Sequence, residues 1–256
     1  MNMFLKEELQ FAIQLVEEVG KTICQYYEQG VSVEYKADES PVTVADRKAE
    51  ETIRTALEKE TPSYGIVGEE FGEKIGSATR QWVIDPIDGT KSFIYGVPMF
   101  STLLALMENG KPIMGLASFP ALTKILWATQ GGGAYLNGTK CKVSSNTLLS
   151  QSLLLDGSPT TMETQGHGEA WKTLRHQAKV HRGWGDAYGY YLVATGKADV
   201  MVDPIAEVWD LAPMSVIIPE AGGAFSALNG GNFIQERSGV ATNGLLHKTI
   251  LEGFSE

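Results

Sequence analysis

The sequence predicts a mixed α/β protein, with an N-terminal α+β lobe over residues 1–145 and a C-terminal α/β lobe over residues 146–256. Three observations carry that prediction. Amphipathic helical stripes open the chain, short apolar runs broken by turn dipeptides follow, and strand and helix patterns then alternate to the end. A length of 256 residues fits one large domain or two modest ones at roughly 150 residues each.

In the opening segment Leu5, Leu9, Ala12, Val16, Val19, Ile23 and Tyr26 recur every three or four residues, the stripe of an amphipathic helix, with Gly30 as its terminator. A second helix follows Pro41. Thr43 and Asp46 form a capping-box pattern there, and Val44, Ile53, Ala56 and Leu57 supply the expected apolar face. Gln81–Ile84, Ser101–Met107, Ile113–Phe119 and Lys124–Thr129 then read as strands, after a short apolar segment at Tyr64–Val67. Turn signals at Asn109-Gly110, Phe119-Pro120 and Gly131-Gly132-Gly133 separate them closely enough for hairpins or a meander. The glycine run lies between strands and lacks the Gly-Lys-Ser/Thr of a phosphate loop, so it reads as a hairpin turn.

The second lobe alternates. Leu153–Leu155 reads as a strand, Glu169–Gln177 as a helix, Lys179–Arg182 as a strand and Asp186–Thr195 as a helix. Ala198–Val202, a helix over Trp209–Ala221 and a last strand–helix pair from Val240 complete what resembles a more parallel sheet. Pro213 suits a first helical turn, whereas Pro219 should kink or end that helix before Gly222-Gly223. The polar, Thr-rich stretch Gly157–Gly168 reads as a mobile loop.

The charge excludes several functions. Twenty-one Lys and Arg against 31 Asp and Glu give a formal −10, which argues against nucleic-acid or anionic-membrane binding. Cys24 and Cys141 are far apart and form no CxxC, so a disulfide framework and a thiolate zinc site are unsupported. No basic, then apolar, leader opens the chain, and no apolar run of about 18 residues suggests a membrane span. The expectation is a cytoplasmic protein. His167, His176, His181 and His247 show no HxH or HExxH spacing and read as surface or satisfied core residues.

The informative stretch is Trp82-Val-Ile-Asp85-Pro-Ile-Asp88-Gly-Thr90-Lys-Ser-Phe93. An apolar strand delivers two carboxylates and a hydroxyl into a turn fixed by Pro86 and Gly89. Asp85, Asp88 and the Ile87 carbonyl can converge there as hard oxygen ligands suited to Mg²⁺. Asp-Pro and Asp-Gly are also ordinary turn dipeptides. The DxDGT register of aspartyl-phosphate phosphatases fails, because here the two acids stand three apart. Gly68-Glu69-Glu70, Trp209-Asp210 and Asp46 add acids, Asp46 with a helix-capping role as its plain alternative.

Together, Gly68-Glu-Glu, Asp85-Pro-Ile-Asp88-Gly-Thr90-Lys-Ser-Phe and Trp209-Asp210 followed by Glu220-Ala-Gly-Gly resemble the inositol-monophosphatase-like family of metal-dependent, lithium-sensitive phosphatases, in order from about Lys36 to Gly223. The resemblance implies a layered α/β/α/β/α sandwich and two or three Mg²⁺ per site. It implies Glu69 and Asp85 as ligands of the first metal, with Asp85 bridging, Ile87 offering its carbonyl, and Asp88 and Asp210 completing the second site. Asp46 matches the acid of a third, weaker metal. Glu70 would support from behind, and Thr90 beside Glu69 would position the water that attacks phosphorus directly. Glu69, Asp88 and Thr90 are thus the implied catalytic set, and a homodimer is implied as well.

A finer signal is Arg182-Gly-Trp184-Gly185-Asp186-Ala187-Tyr188-Gly-Tyr190, which resembles the histidinol-phosphate phosphatase branch of that family. Substrate contacts are then expected at Asp88, Gly89, Thr90, Gly185, Asp186, Ala187, Asp203, Glu207 and Asp210. The chemistry agrees, since carboxylates at a pocket rim hold an ammonium group by charge-assisted hydrogen bonds. Asp186 can equally serve as a helix N-cap, Trp184 and Tyr188 read as packing, and Arg182 as an ion-pair partner or a rim residue. The competing readings are an inositol-1-phosphate or broad small-monoester phosphatase and, in a different class, a non-catalytic metal or sugar-phosphate sensor. The expected partner is in each case a small phosphorylated metabolite.

Overall fold

A computed structural model describes residues 3–30, 32–35 and 41–255; Met1, Asn2 and Lys36, where the family motifs begin, lie outside the described residues. Helix α1 (Met3–Gln29) stops at Gly30, whose φ of 73° is left-handed, as expected of a glycine stop. Strands β1 (Val33–Tyr35) and β2 (Pro41–Thr43) pair antiparallel and lead into α2 (Val44–Glu60). The Thr43/Asp46 capping box forms. The apolar face of α2 differs from expectation: Val44 is 50% exposed and Ala56 half-buried, while Ala45, Ala49, Ile53 and Leu57 are buried. Asp46 and Glu50 are buried beside that stripe, so polar side chains occupy places that an apolar pattern assigns elsewhere.

The first sheet takes β3 (Gly65–Gly68), β4 (Gly72–Lys74), β5 (Arg80–Asp88), β6 (Ser101–Glu108), β7 (Lys111–Phe119), β8 (Lys124–Thr129), β9 (Gly133–Leu136) and β10 (Thr139–Lys140), with α3 (Thr90–Ile94) after β5. Its order is β10-β9-β8-β7-β6-β5-β3-β4, antiparallel except between β3 and β5. The three marked turns each close a hairpin, and the β3–β4 and β9–β10 pairs form two that those dipeptides do not mark. The glycine turn is held by an acid, since Glu220 accepts the N–H groups of Gly131 at 2.6 Å and Gly133 at 2.7 Å.

The second sheet holds β11 (Leu153–Asp156), β12 (Val180–Arg182), β13 (Val200–Asp203), β14 (Ala224–Ser226) and β15 (Gly239–Thr242) in the order β12-β11-β13-β15-β14. Between them run α4 (Pro159–Thr164), α5 (Gly168–Gln177), α6 (Asp186–Ala194), α7 (Val208–Glu220), α8 (Phe233–Glu236) and finally α9 (His247–Ser255). Only β12, β11 and β13 are parallel; β15 runs against both neighbours, so the sheet is mixed. Gly157–Gly168 is no plain loop, because Ser158 caps α4 and Met162 is fully buried. Helix α7 runs through Pro213 at its sixth position, past the first turn, and ends one residue after Pro219.

Side-chain alternation along the strands builds five layers. Trp82, Ile84, Leu104, Leu106 and Leu116 face α1 and α2, whereas Leu103, Ala117 and Phe119 face α6 and α7. Leu155, Met201 and Ala241 of the second sheet meet the same α6–α7 layer from the other side. Leu154, Val200, Val202 and Val240 turn outward onto Met162, Trp171, Leu174 and Ile250 of α4, α5 and α9. The resulting α/β/α/β/α sandwich is the fold the family resemblance implies. Among the described residues, no helix is long and apolar enough to cross a membrane.

Candidate active site

Residues three apart on a regular strand point to opposite faces. In β5, Asp85 pairs with Leu103 and Asp88 with Ser101, so three steps on β5 answer two on β6. This bulge, with Pro86 unable to donate, puts both acids on one side. Thr102 Oγ1 holds the Pro86 carbonyl at 2.9 Å and fixes it. Oxygen atoms of Asp85, Asp88 and Asp210 lie within 4.8 Å of one another.

Each acid is anchored differently. Asp88 Oδ2 accepts from Ser101 Oγ at 2.8 Å and from the Ala187 N–H at 3.0 Å, which ties β5 to the start of α6. Asp210 Oδ2 accepts the Glu207 N–H at 2.7 Å in a capping box at the head of α7. Asp85 Oδ1 is buried with no hydrogen-bond partner. Thr90 donates its hydroxyl to the Ile87 carbonyl at 3.1 Å.

Burial raises all these carboxyls, and their neighbours' negative charges raise them further. Asp85 is pushed well above its usual range by burial and then by Glu69, Asp88, Asp210 and Asp46. Asp88 is pushed the same way by burial, Asp186 and Asp210. Asp210 reaches about 8 through burial and then Glu69. Asp46 rises through burial, against the lowering effect of its Thr43 hydrogen bonds. Such a set of oxygens, one of them orphaned, fits a hard divalent cation that would relieve the repulsion.

The acids open into a cavity of about 670 Å³. A hollow of about 790 Å³ between α1 and the β7–β8 region is larger, but Glu17 is its one carboxylate and it lies away from the acids. Glu69, Asp85, Ile87, Asp88, Gly89, Thr90, Asp186, Ala187, Asp203, Glu207 and Asp210 all line the acidic cavity. Asp46 lies behind it, within electrostatic reach of Asp85 and Glu69, and Gly185 serves as backbone N-cap of α6. Glu70 points its N–H to Glu50 at 2.8 Å. None of the four histidines lines the cavity; His181 pairs with Asp156 at 3.1 Å and His247 with Ser226 at 2.9 Å.

Asp186 is not a side-chain cap, since Gly185 holds the cap position and no side-chain cap bond forms. Its backbone is left-handed, φ 53°, a conformation Asp tolerates better than most residues. A Cβ on Gly89 would lie 3.1 Å from Asp186 Oδ2, so a glycine there admits this carboxylate. Burial raises Asp186 and the positive charge of Lys91 lowers it. Asp203 is raised well above its range by burial and by Asp186 and Asp210, with Tyr190 opposing.

Four contributors were not singled out as site residues. Lys91, Tyr190 and Trp209 line the cavity, and each stands inside a motif already quoted. Ser101 has no local signal, because only the β5–β6 register puts it opposite Asp88.

A carboxylate-walled cavity on a layered α/β fold, with an oxygen set fit for divalent cations, defines the class of metal-dependent hydrolases of anionic esters. The inositol monophosphatase family profile matches residues 5–256, and the chain belongs to that family, whose members are Mg²⁺-dependent phosphatases. It is 38% identical to a histidinol-phosphatase of Chlorobaculum parvum over 95% of both chains, and 37% identical to one of Mycobacterium tuberculosis over 96% of both. An IMPase structure from Thermotoga maritima superposes with a TM-score of 0.89 at 30% identity, covering 97% of each chain.

Proposed function

We propose that the protein hydrolyses L-histidinol phosphate to L-histidinol and inorganic phosphate, a step in histidine biosynthesis. The observation that carries this reading is Asp186, a solvent-accessible carboxylate that caps no helix and is held in left-handed backbone on the cavity wall, with Asp203 also lining it. Two acids beyond the metal cluster suit a substrate bearing an ammonium group and an imidazole, whereas inositol phosphate offers neutral hydroxyls. The relatives named histidinol-phosphatase, at 38% and 37% identity, support the same reading.

In this reading Glu69, Asp85, Asp88, Asp210 and the Ile87 carbonyl hold two Mg²⁺, and Asp46 contributes to a third. Bound Mg²⁺ neutralises the ester dianion and lowers the pKa of water. The Thr90 hydroxyl donates its hydrogen bond to the Ile87 carbonyl, so its oxygen is left to accept one from the attacking water, which Glu69 also orients. Gly89, Thr90, Gly185 and Ala187 shape the cavity around the phosphate and the leaving group, and Asp186 and Asp203 take the ammonium. The same reading takes the enzyme to be a cytoplasmic homodimer.

The test is phosphate release from histidinol phosphate and inositol-1-phosphate side by side, with Mg²⁺ and with EDTA. A kcat/KM favouring histidinol phosphate by about 100-fold, or roughly 2.7 kcal/mol, is expected. Asp186→Ala should then cost histidinol phosphate about 10–100-fold more than inositol-1-phosphate, the worth of one charge-assisted hydrogen bond. Comparable rates on both esters would sink the substrate assignment and leave a broad or inositol phosphatase.

A further inference from the structure

We propose that Glu50 is a positioning residue that sets Glu69 through the turn between β3 and β4, an inference that rests on reading Glu69 as a Mg²⁺ ligand. Glu50 lies one turn beyond Asp46 on the buried face of α2, and its side chain is 0% exposed. Its carboxylate collects three donors: Arg54 Nε at 2.7 Å, the Glu70 N–H at 2.8 Å and the Phe71 N–H at 3.2 Å. Arg54 Nη2 also donates to the Gly72 carbonyl. One ion pair on α2 therefore grips each of the three residues that follow Glu69. The Glu69 N–H itself is held by the Ile84 carbonyl at 3.3 Å.

The close approach extends to the residue before Glu69. A Cβ on Gly68 would sit 2.1 Å from Glu50 Oε1 and 2.9 Å from Arg54 Nη2. Only a glycine lets the carboxylate reach the turn. A buried ion pair is weak evidence for stability, because desolvation offsets the attraction between its partners. Its contribution here is geometric, since the pair fixes the backbone from which Glu69 projects into the cavity. Partners that orient metal ligands typically cost 10–100-fold in metal affinity when lost.

The test is calorimetric titration of the metal-free protein with Mg²⁺ alone, which involves no ester and so does not depend on the substrate assignment. Glu50→Gln should raise the Mg²⁺ Kd by about 10–100-fold. The control is Arg80→Gln, which breaks a part-buried pair with Glu8 at 2.6 Å. Arg80 stands five residues before Asp85 along β5, roughly 17 Å away. That control should lower Tm but leave the Mg²⁺ Kd within about twofold.

An unchanged Kd in Glu50→Gln, or equal weakening in both variants, overturns the proposal. Should Glu50→Gln fail to fold, Arg54→Lys keeps the charge but cannot hold both Glu50 and Gly72; it should weaken Mg²⁺ by at least about threefold, and an unchanged Kd again overturns the proposal. The wild type separates the two ways of failing. No Mg²⁺ uptake at all removes the metal reading and this inference together, whereas normal uptake by wild type and Glu50→Gln removes the inference alone.

Discussion

Asp46 and Asp210 hold the same place in two separate helices, each being the third residue of its helix and the acid of a capping box that reaches back to the cap N–H. Asp46 Oδ2 accepts the Thr43 N–H at 2.8 Å, and Asp210 Oδ2 accepts the Glu207 N–H at 2.7 Å. The helix N-terminus favours negative charge at both. One carboxylate oxygen is thereby fixed by local backbone while the other lies outside the cap. The same helix-capping device thus fixes Asp210 on the cavity wall and Asp46 behind it.

The two positions should respond differently to substitution. Asp210→Asn keeps a cap acceptor but removes charge from the three-acid cluster; kcat should fall by at least about 100-fold with the fold retained. Thr43→Ala removes the hydroxyl that caps Ala45 and bonds Asp46, costing about 1 kcal/mol of stability. Its kcat at saturating Mg²⁺ should stay near wild type, because Asp46 sits behind the cluster. Phosphate release and thermal unfolding of both variants check this, and equal kinetic losses would contradict the distinction.

The acid cluster also sets a pH dependence. Asp85, Asp88 and Asp210 have folded pKa values above the ordinary 3.8, Asp210 at about 8. The folded state therefore binds more protons than the unfolded state between about pH 4 and 8, and stability of the metal-free protein falls as pH rises through that window. In the proposed reading, Mg²⁺ bound by these acids would take the place of those protons. At 100 times its Kd it should add about 2.7 kcal/mol, or about 5–10 °C in Tm, with a larger effect at pH 8 than at pH 5. Melting curves in EDTA and in Mg²⁺ across that range decide it; a metal-free Tm that rose with pH would contradict the burial argument.

How much was legible depended on how far apart in sequence the partners stood. Asp85, Asp88 and Thr90 were visible because one short stretch carries them, and Asp46 because its cap is local. The bulge that aligns Asp85 with Asp88 depends on pairing with Leu103 and Ser101, a relationship no periodicity reveals. Glu50 escaped notice because a charged residue on a helix reads as solvent-facing, yet it is buried where the turn around Glu69 needs an acceptor. The second sheet read as more parallel than it is, because β/α alternation does not reveal the reversed direction of β15.

Glu220, which stands in the Glu220-Ala-Gly-Gly motif, serves a structural role in this fold. Its two oxygens accept the Gly131 and Gly133 N–H groups of the glycine turn. Glu220→Ala hands the exposed Gly131 N–H and the half-buried Gly133 N–H to water and should cost about 1 kcal/mol. Turnover should change by less than about twofold, since the turn is remote from the cavity lining. Urea unfolding paired with phosphate release measures both, and a large kinetic loss would mean that the turn communicates with the site.

Gly115→Ala should behave in the opposite way although it also acts on α7. A Cβ at Gly115 would lie 2.2 Å from the Pro213 carbonyl and 2.8 Å from its Cα. Backbone cannot swing aside as a side-chain tip can, so α7 must move off β7. Overpacking of this kind costs about 1–3 kcal/mol. Pro213 lies less than one turn after Asp210, whereas Glu220 is the last residue of the helix, so displacement at Pro213 reaches the acid cluster. A shift of about 1 Å there is enough to cost roughly 100-fold in rate. Gly115→Ala and Glu220→Ala, matched for loss of stability, should therefore differ sharply in kcat and in Mg²⁺ requirement. Similar kcat values in the two would show that α7 tolerates displacement at its N-terminal half without moving Asp210.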